Sequence, residues 1–105
     1  MVKFINSDSL LQAFRRLLCE ERGIRGMSQL DLAKSSGLTR QCIALFESGQ
    51  RVPTFFSLFC LARGFNIPAI RFISMLVNKM ELYERMQEQE FIAADGRKVM
   101  WQARR

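Results

Sequence analysis

The chain has 105 residues, of which sixteen are Lys or Arg and ten are Asp or Glu, so its formal net charge is +6. This length fits one domain with a modest core and an appendage, and a basic balance favours polyanionic partners such as nucleic acid or an acidic membrane face. The chain has no histidine, which is the commonest general base and metal ligand, so we expect neither an enzyme nor a bound cofactor or metal.

The cysteines and the shortness of the apolar runs indicate the compartment. The longest uncharged stretch, residues 52–62, is too short to cross a bilayer, and residues 1–6 do not resemble a secretory signal. The three cysteines are isolated from one another, which fits a reducing compartment better than a disulfide framework or a zinc site. We therefore expect a cytoplasmic protein with no membrane partner.

The first predicted helix begins at a capping box. Ser9 and Gln12 have the S-x-x-Q spacing in which side chains satisfy the first amides of a helix, and apolar residues follow at three- and four-residue steps. This pattern predicts a helix that runs to about Arg22, followed by a turn over residues 23–26, where two glycines interrupt the helix.

Two short helices follow, and each begins at a capping residue. Ser28, with Asp31 three residues later, starts the second helix, and Gly37 ends it. Thr39 caps the third helix, which ends before Gly49. The sequence therefore predicts two helices of about two turns each, joined by a tight turn.

A Phe-rich fourth helix and a long fifth helix are predicted next. Pro53 and Thr54 suit the start of the fourth helix, whose apolar positions repeat at helical spacing until Gly64. Pro68 suits the first turn of the fifth helix, which no breaker interrupts until about Gln89. Three aromatic residues of this region fit burial under the fifth helix and a partner interface equally well: Phe56, Phe59 and Phe65.

The tail is predicted to form a β-hairpin. Residues 91–94 and 97–102 are two short segments joined by Asp95-Gly96, the favoured pair of a two-residue type I′ turn. An isolated hairpin is only marginally stable in water, so we expect this one to pack against another surface. The predicted fold class is all-α, a compact five-helix bundle with a long fifth helix and a C-terminal β-hairpin.

The segment from Ser28 to Gly49 carries the functional signal. Two short helices that cross steeply need a small residue where their backbones approach, and Ala33 supplies it. The tight turn needs a residue that tolerates positive φ, and Gly37 supplies it. Four apolar residues close a core beneath the turn, which leaves the residues after Thr39 projecting outward. These four residues are Leu32, Leu38, Ile43 and Phe46.

Together these residues resemble the helix-turn-helix of Cro and the phage repressors, also called Xre-like. The resemblance covers roughly residues 10–73 and implies a bundle of the phage-repressor DNA-binding type, whose third helix lies in the DNA major groove. We therefore divide the chain into a DNA-binding domain, residues 8–73, and an extension with the hairpin, residues 74–105. The resemblance is carried by Ser28-Gln29-x-x-Leu32-Ala33, Gly37-Leu38-Thr39-Arg40, Ile43-x-x-Phe46-Glu47-x-Gly49 and Arg51-x-Pro53-Thr54.

The resemblance also assigns DNA contacts by position. It implies that the outward face of the third helix contacts bases, with Arg40 suited to guanine and Gln41 to adenine. It implies that the first turn of the second helix and the residues flanking the third contact phosphates. The implied base contacts are Arg40, Gln41, Ala44 and Leu45, and the implied phosphate contacts are Gln29, Thr39, Arg51 and Lys34.

Two features depart from the family pattern. Leu45 stands where the family usually has a polar residue, so it could meet a thymine methyl group or mark an unusual base code. The connection between the first and second helices is also longer than is common. On this longer connection we assign the family's Arg–Glu bridge to Arg22 and Glu47.

The fifth helix has an apolar stripe suited to another helix. Residues 74–105 add to the DNA-binding domain, and dimerisation would bury the stripe and support the hairpin. A two-fold dimer would also present two recognition helices to half-sites about 34 Å apart. The residues predicted to form the dimer contact are Ile73, Val77, Met80 and Tyr83.

These observations predict a transcriptional regulator that binds double-stranded DNA sequence-specifically. We expect a repressor rather than an activator, which binds a palindromic operator as a homodimer through residues 39–48. The alternative is a protein-interaction module such as an antitoxin-like partner, in which the Phe-rich fourth helix or the C-terminal tail binds another protein. A stoichiometric co-purifying partner would favour that alternative.

Overall fold

Within residues 7–95, which the computed structural model describes with side chains from Asp8 to Met86, the chain forms five α-helices and no strand. The predicted all-α architecture with a long fifth helix is therefore confirmed. The helices are α1 (Ser7–Arg25), α2 (Gln29–Ser36), α3 (Arg40–Ser48), α4 (Phe55–Gly64) and α5 (Ala69–Asp95).

The apolar core joins all five helices. α1 packs on α3 and α5, α2 packs on α3 and α4, and α4 packs on α5. The rings of Phe14 and Phe46 meet edge to face, with centroids 5.0 Å apart, and so connect α1 to α3. The core predicted beneath the tight turn is also present: Leu32, Ile43 and Phe46 are buried, and Leu38 packs against them.

α1 is longer at both ends than the sequence predicts. Ser9 lies inside the helix and is buried, and its hydroxyl donates a hydrogen bond to Glu84 Oε2 at 2.7 Å, so the predicted capping box is wrong. The helix also continues through Gly23 to Arg25, and the chain turns only at Gly26, where φ is 64°. A glycine inside a helix costs about 1 kcal/mol relative to alanine, and the packing of α1 on α3 and α5 outweighs this cost.

The predicted β-hairpin is wrong in its first strand. α5 continues to Asp95, so residues 91–94 are helical, while residues 97–102 lie outside the described residues. Ala93 and Ala94 belong to the residue type with the highest helix propensity, and a helix that is already nucleated gains a hydrogen bond with each added residue. The predicted domain boundary between residues 73 and 74 falls inside α5.

α5 lies antiparallel to α1. Lys79 forms an ion pair with Glu20, and Glu84 accepts the hydrogen bond from Ser9, so positions further along α5 meet positions nearer the start of α1. α1 therefore covers one side of α5 over much of its length. The buried core residues of α5 follow one another at four-residue steps: Phe72, Leu76 and Met80.

This packing corrects one part of the predicted dimer contact. Met80 is 6% exposed and belongs to the core of the monomer, in line with Leu76 four residues earlier. Ile73 and Tyr83 are half-buried, and Val77 is exposed.

α4 buries one side and exposes the other. Its N-cap is Thr54, whose hydroxyl accepts a hydrogen bond from the Ser57 amide in a capping box. Phe65 is buried at the end of the helix, whereas Phe56 and Phe59 are 73% and 48% exposed. Of the two alternatives for these aromatic residues, burial therefore holds for Phe65, while Phe56 and Phe59 lie on the surface.

No single helix within residues 7–95 combines the length and the apolar content needed to cross a membrane; α4 and the first part of α5 reach them only as a pair, bent by 108° at the break between them.

Candidate nucleic-acid interface

The α2–turn–α3 unit is built on the caps that the sequence predicts. The Ser28 hydroxyl accepts from the Asp31 amide at 2.9 Å, and the Asp31 carboxylate accepts from the Ser28 amide at 2.9 Å. Gly37 follows α2 with φ 86°, and its amide donates to the Ala33 carbonyl. The Thr39 hydroxyl then accepts from the Cys42 amide at 3.0 Å and starts α3. Local hydrogen bonds thus fix where α3 begins and in which direction it runs.

α3 divides into an inner and an outer face. Ile43 and Phe46 are buried and attach the inner face to the core. Arg40 and Gln41, at the first turn, are exposed. The remaining predicted base contacts, Ala44 and Leu45, are half-buried. The four positions predicted to meet bases therefore stay accessible on the surface of the described part of the chain.

The predicted phosphate contacts lie around α3. Lys34, Thr39 and Arg51 are exposed. Arg51 lies beside the first turn of α3, because its Nη1 donates to Cys42 Sγ at 3.7 Å. Arg51 is therefore brought next to the residues predicted to meet bases, although it follows the helix in sequence.

Gln29 is held by a contact that the sequence does not predict. Its side-chain amide donates to Glu47 Oε1 at 2.9 Å and so ties the first turn of α2 to α3. One hydrogen of this amide is engaged inside the protein. A phosphate contact of Gln29 stays a prediction, and its backbone amide at the helix N-terminus is a second donor for such a contact.

The bridge predicted between Arg22 and Glu47 is confirmed. Arg22 Nε lies 2.6 Å from Glu47 Oε2, and Nη2 lies 2.9 Å from Oε1, which is the bidentate geometry that favours an arginine–carboxylate pair. Nη1 of the same guanidinium donates to the Met27 carbonyl at 2.7 Å. One side chain therefore links α1 to the loop before α2 and to α3.

Electrostatics at Glu47 favour its charged form. Burial by itself raises the pKa of the Glu47 carboxyl, but the hydrogen bonds from Arg22 and Gln29 outweigh it and lower the pKa below its ordinary value. The same bridge raises the pKa of Arg22. The pair stays ionised at neutral pH, and its two charges neutralise each other, so it holds α3 in place rather than attracting DNA.

A second arginine of α1 reaches α3 at the same residue. Arg15 Nε donates to the Glu47 backbone carbonyl at 3.3 Å, and its Nη1 donates to Gln12 Oε1 at 2.9 Å. The last carbonyls of a helix lack partners within it, so Arg15 satisfies one of them and places a positive charge at the negative end of the helix. Arg15 was not predicted from the sequence; its only signal there is that Arg15 and Arg22 lie seven residues apart, on one face of α1.

The described residues contain no cluster of three His, Cys, Asp or Glu side chains that could hold a metal ion. The fold, with an exposed α3 held by caps and by two arginines, defines the class of helix-turn-helix DNA-binding proteins.

Comparisons with known proteins agree with this class. The HTH_3 helix-turn-helix family matches residues 20–72, about half of the chain, and the chain belongs to this Xre-like family. Among solved structures, the wild-type restriction-modification controller protein C.Esp1396I is similar at 31% sequence identity and a TM-score of 0.61, covering 68% of this chain and 91% of that one. A single-substitution variant of it is similar at 30% identity and a TM-score of 0.62, covering 70% and 97%. No curated protein matches the chain.

The predicted family is therefore confirmed, and the protein is a DNA-binding transcriptional regulator of the Xre-like helix-turn-helix family.

Proposed function

We propose that this protein is a repressor that binds a palindromic operator as a homodimer, with α3 in the major groove, and that it acts without a cofactor or any chemical step. The observation that carries the proposal is the exposed outer face of α3, which three side chains hold in one orientation. Thr39 caps its start, while Arg15 and Arg22 hold its end through Glu47. A rigidly held helix with polar, exposed side chains suits direct reading of base edges.

We assign base recognition to the first two turns of α3. Arg40 has the planar pair of donors that matches guanine O6 and N7, and Gln41 has the donor and acceptor that match adenine N7 and N6. Ala44 and Leu45 present apolar groups suited to thymine methyls. This set favours an operator with a guanine beside A·T pairs in each half-site.

We assign phosphate contacts to Gln29, Thr39, Arg51 and Lys34. These contacts fix the register of the protein on the duplex and carry no sequence information themselves. Because each neutralised phosphate releases counterions, affinity should fall steeply as salt is raised.

The solved neighbours support a regulatory role. Both are forms of a restriction-modification controller protein, and their fold covers about two-thirds of this chain. We infer by analogy that this chain controls transcription at a promoter to which it binds.

Dimerisation follows from how such modules read DNA. One α3 contacts only a few base pairs, and a two-fold dimer doubles the contact on half-sites about one helical turn apart. Apolar side chains on the outside of α5 support a dimer contact: Val77 is 38% exposed, and Ile73 and Tyr83 are half-buried.

Selection of bound sequences from random duplexes tests this function. The full chain should enrich one motif, and the motif should be an inverted repeat. Enrichment of a single unrepeated half-site would overturn the dimeric mode, and the absence of any enrichment at low salt would overturn sequence-specific binding altogether.

A second candidate function is supported by the aromatic side of α4. Phe55 and Phe56 are 70% and 73% exposed, and large exposed apolar clusters mark protein contacts. In this reading the protein is an interaction module, such as an antitoxin-like partner, and α4 or the tail binds another protein. A stoichiometric partner that co-purifies with the chain and is lost on Phe56→Ser would favour it.

A further inference from the structure

Arg51 lies in the connection between α3 and α4, and the backbone is fixed on both sides of it. Before it, Gly49 ends α3 with φ 82°, and the Gln50 amide donates to the Leu45 carbonyl at 3.0 Å. After it, Thr54 caps the start of α4. The Cα of Arg51 is therefore held near the end of α3, and its side chain keeps the freedom to choose a direction.

The Arg51 side chain turns back to the first turn of α3. Its Nη1 donates to Cys42 Sγ at 3.7 Å, nine residues away in sequence. Cys42 itself is fixed, because its amide is capped by the Thr39 hydroxyl and its side chain packs against the core. A thiol sulfur is a weak acceptor, so this contact adds little stability, but it gives an exposed guanidinium one direction. That direction is toward the turn on which Arg40 and Gln41 are exposed.

The contact leaves one edge of the Arg51 guanidinium unused. Arg22 shows how the same group divides its donors in this protein: Nη1 donates to a backbone carbonyl, while Nε and Nη2 together hold the Glu47 carboxylate. With Nη1 of Arg51 on sulfur, its Nε and Nη2 have no acceptor among residues 8–86. A phosphate offers two oxygens to such a pair of donors, as a carboxylate does.

The segment around Arg51 offers it no free carboxylate. Residues 32–80 contain one acidic residue, Glu47, whose side chain is 7% exposed and is engaged by Arg22. An anionic DNA backbone that approaches α3 therefore meets Arg51 without repulsion from an acidic side chain of this segment.

We propose that Cys42 is a positioning residue for DNA binding: its sulfur holds Nη1 of Arg51, so that Nε and Nη2 meet the phosphate beside the base pairs that Arg40 and Gln41 read. The inference rests on the proposed DNA-binding mode and adds a residue outside the predicted contacts. Because Arg51 is oriented before DNA arrives, it loses less side-chain entropy on binding. The contact also ties a phosphate to the first turn of α3 and so fixes the register between backbone and base contacts.

Substitutions at position 42 test whether the acceptor matters. Cys42→Ala removes it, and affinity for the selected operator should fall roughly 2- to 12-fold, the effect of ordering one further side chain on binding. Cys42→Ser keeps an acceptor at the same place and should bind like the wild type. Arg71→Ala, which removes an exposed arginine of α5, is the matched control for the loss of a side chain and should also bind like the wild type. Circular dichroism checks that each variant is helical.

A double-mutant cycle tests whether Cys42 acts through Arg51. Arg51→Ala should weaken operator binding at least as much as Cys42→Ala does. The double variant Cys42→Ala/Arg51→Ala should bind no more weakly than Arg51→Ala, because the sulfur has no role once the guanidinium is gone.

Two further measurements separate positioning from a disturbed α3. Arg51→Ala loses one phosphate contact, so the slope of log affinity against log salt should fall by about 0.9, and Cys42→Ala should lose part of the same slope. Discrimination among operators with single base changes should stay as in the wild type. In the free protein, ¹⁵N relaxation of Arg51 Nε should show a more mobile guanidinium in Cys42→Ala and an unchanged one in Cys42→Ser.

The outcomes separate this contact from the proposed function. Wild-type affinity and salt slope in Cys42→Ala overturn the inference, as does a Cys42→Ser variant as weak as Cys42→Ala. Fully multiplicative losses in the double variant also overturn it, because the two side chains then act independently. Altered base discrimination in Cys42→Ala at an unchanged salt slope shows that Cys42 supports α3 itself, and it overturns the inference while the DNA-binding mode stands. A wild-type chain that selects no operator overturns the proposed function and the inference together.

Discussion

Arg22 and Glu47 form a bidentate ion pair between α1 and α3, and the side chain of Glu47 is only 7% exposed. A third hydrogen bond to the same carboxylate comes from Gln29 on α2. One carboxylate therefore joins the three helices that build the helix-turn-helix. We expect the pair to control both the stability of the domain and the orientation of α3.

Replacing Glu47 with Ala should destabilise the protein by about 2–4 kcal/mol, because it leaves the partly buried Arg22 without its counter-charge. Urea unfolding measures the loss. Lys79→Ala is the matched control, since the pair of Lys79 with Glu20 is more exposed and contributes only about 0–1 kcal/mol. Equal losses in the two variants would contradict a special role for Glu47.

The stability contributed by Glu47 should depend on pH in a defined direction. Burial opposes ionisation of Glu47, but the bonds from Arg22 and Gln29 lower its pKa below the ordinary 4.5. The folded state then binds the proton less tightly than the unfolded state, so the stabilisation is complete above about pH 4.5 and is lost as pH falls through the lower, folded-state pKa. The difference in unfolding free energy between the wild type and Glu47→Gln should shrink below pH 4.5. A difference that stays constant from pH 7 to pH 3 would refute the assignment.

Alanine substitutions at two helical glycines should change the stability of the protein in opposite directions. At Gly64 a Cβ would lie 2.8 Å from Ser36 Cβ and 3.1 Å from Ser36 Cα, so α2 and α4 must move apart, at about 1–3 kcal/mol. At Gly23 nothing lies within 4 Å of the added carbon, and alanine should stabilise α1 by about 0.5–1 kcal/mol. Thermal unfolding should show a lower midpoint temperature for Gly64→Ala and a higher one for Gly23→Ala. Stabilisation by Gly64→Ala would show that α2 and α4 do not approach as described.

The end of α3 offers a test of the Arg15 contact. Gly49 and Gly37 both have positive φ, 82° and 86°, so alanine at either position strains the backbone by about 1 kcal/mol. Only at Gly49 would a Cβ also meet Arg15, at 3.2 Å from its Cδ. Gly49→Ala should therefore cost more than Gly37→Ala, and adding Arg15→Ala should relieve part of the excess. A double-mutant cycle by urea unfolding measures the coupling energy between positions 15 and 49, and a coupling energy of zero would show that Arg15 does not contact the end of α3 as described.

Much of the helix-turn-helix was predictable because its signals are local. The caps at Ser28 and Thr39 and the positive φ at Gly37 depend on residues within one or two turns, and the structure has all three. The bridge from Arg22 to Glu47 came from the family resemblance and is also present. The residues assigned to DNA contact remain predictions, although the structure leaves Arg40 and Gln41 exposed.

The sequence-based predictions were wrong where tertiary packing overrides the local conformational preference. Gly23 has a weak helix propensity, yet tertiary contacts of α1 carry the helix through it. Asp95-Gly96 favours a hairpin turn, yet residues 91–94 extend α5 instead. Met80 fits an outward stripe by spacing, but it is buried in the core. The contact of Arg15 with a backbone carbonyl depends on how two helices pack, and a sequence pattern does not specify that.

A comparison of Arg40→Ala with Lys34→Ala shows whether the outer face of α3 reads bases. For each protein we would measure affinity for the selected operator and for operators with single base changes, at a fixed salt concentration. Arg40→Ala should lose about 1–3 kcal/mol of discrimination at one base pair, whereas Lys34→Ala should weaken binding to all duplexes alike. If Arg40→Ala discriminates among these operators as well as the wild type does, α3 is not the recognition helix.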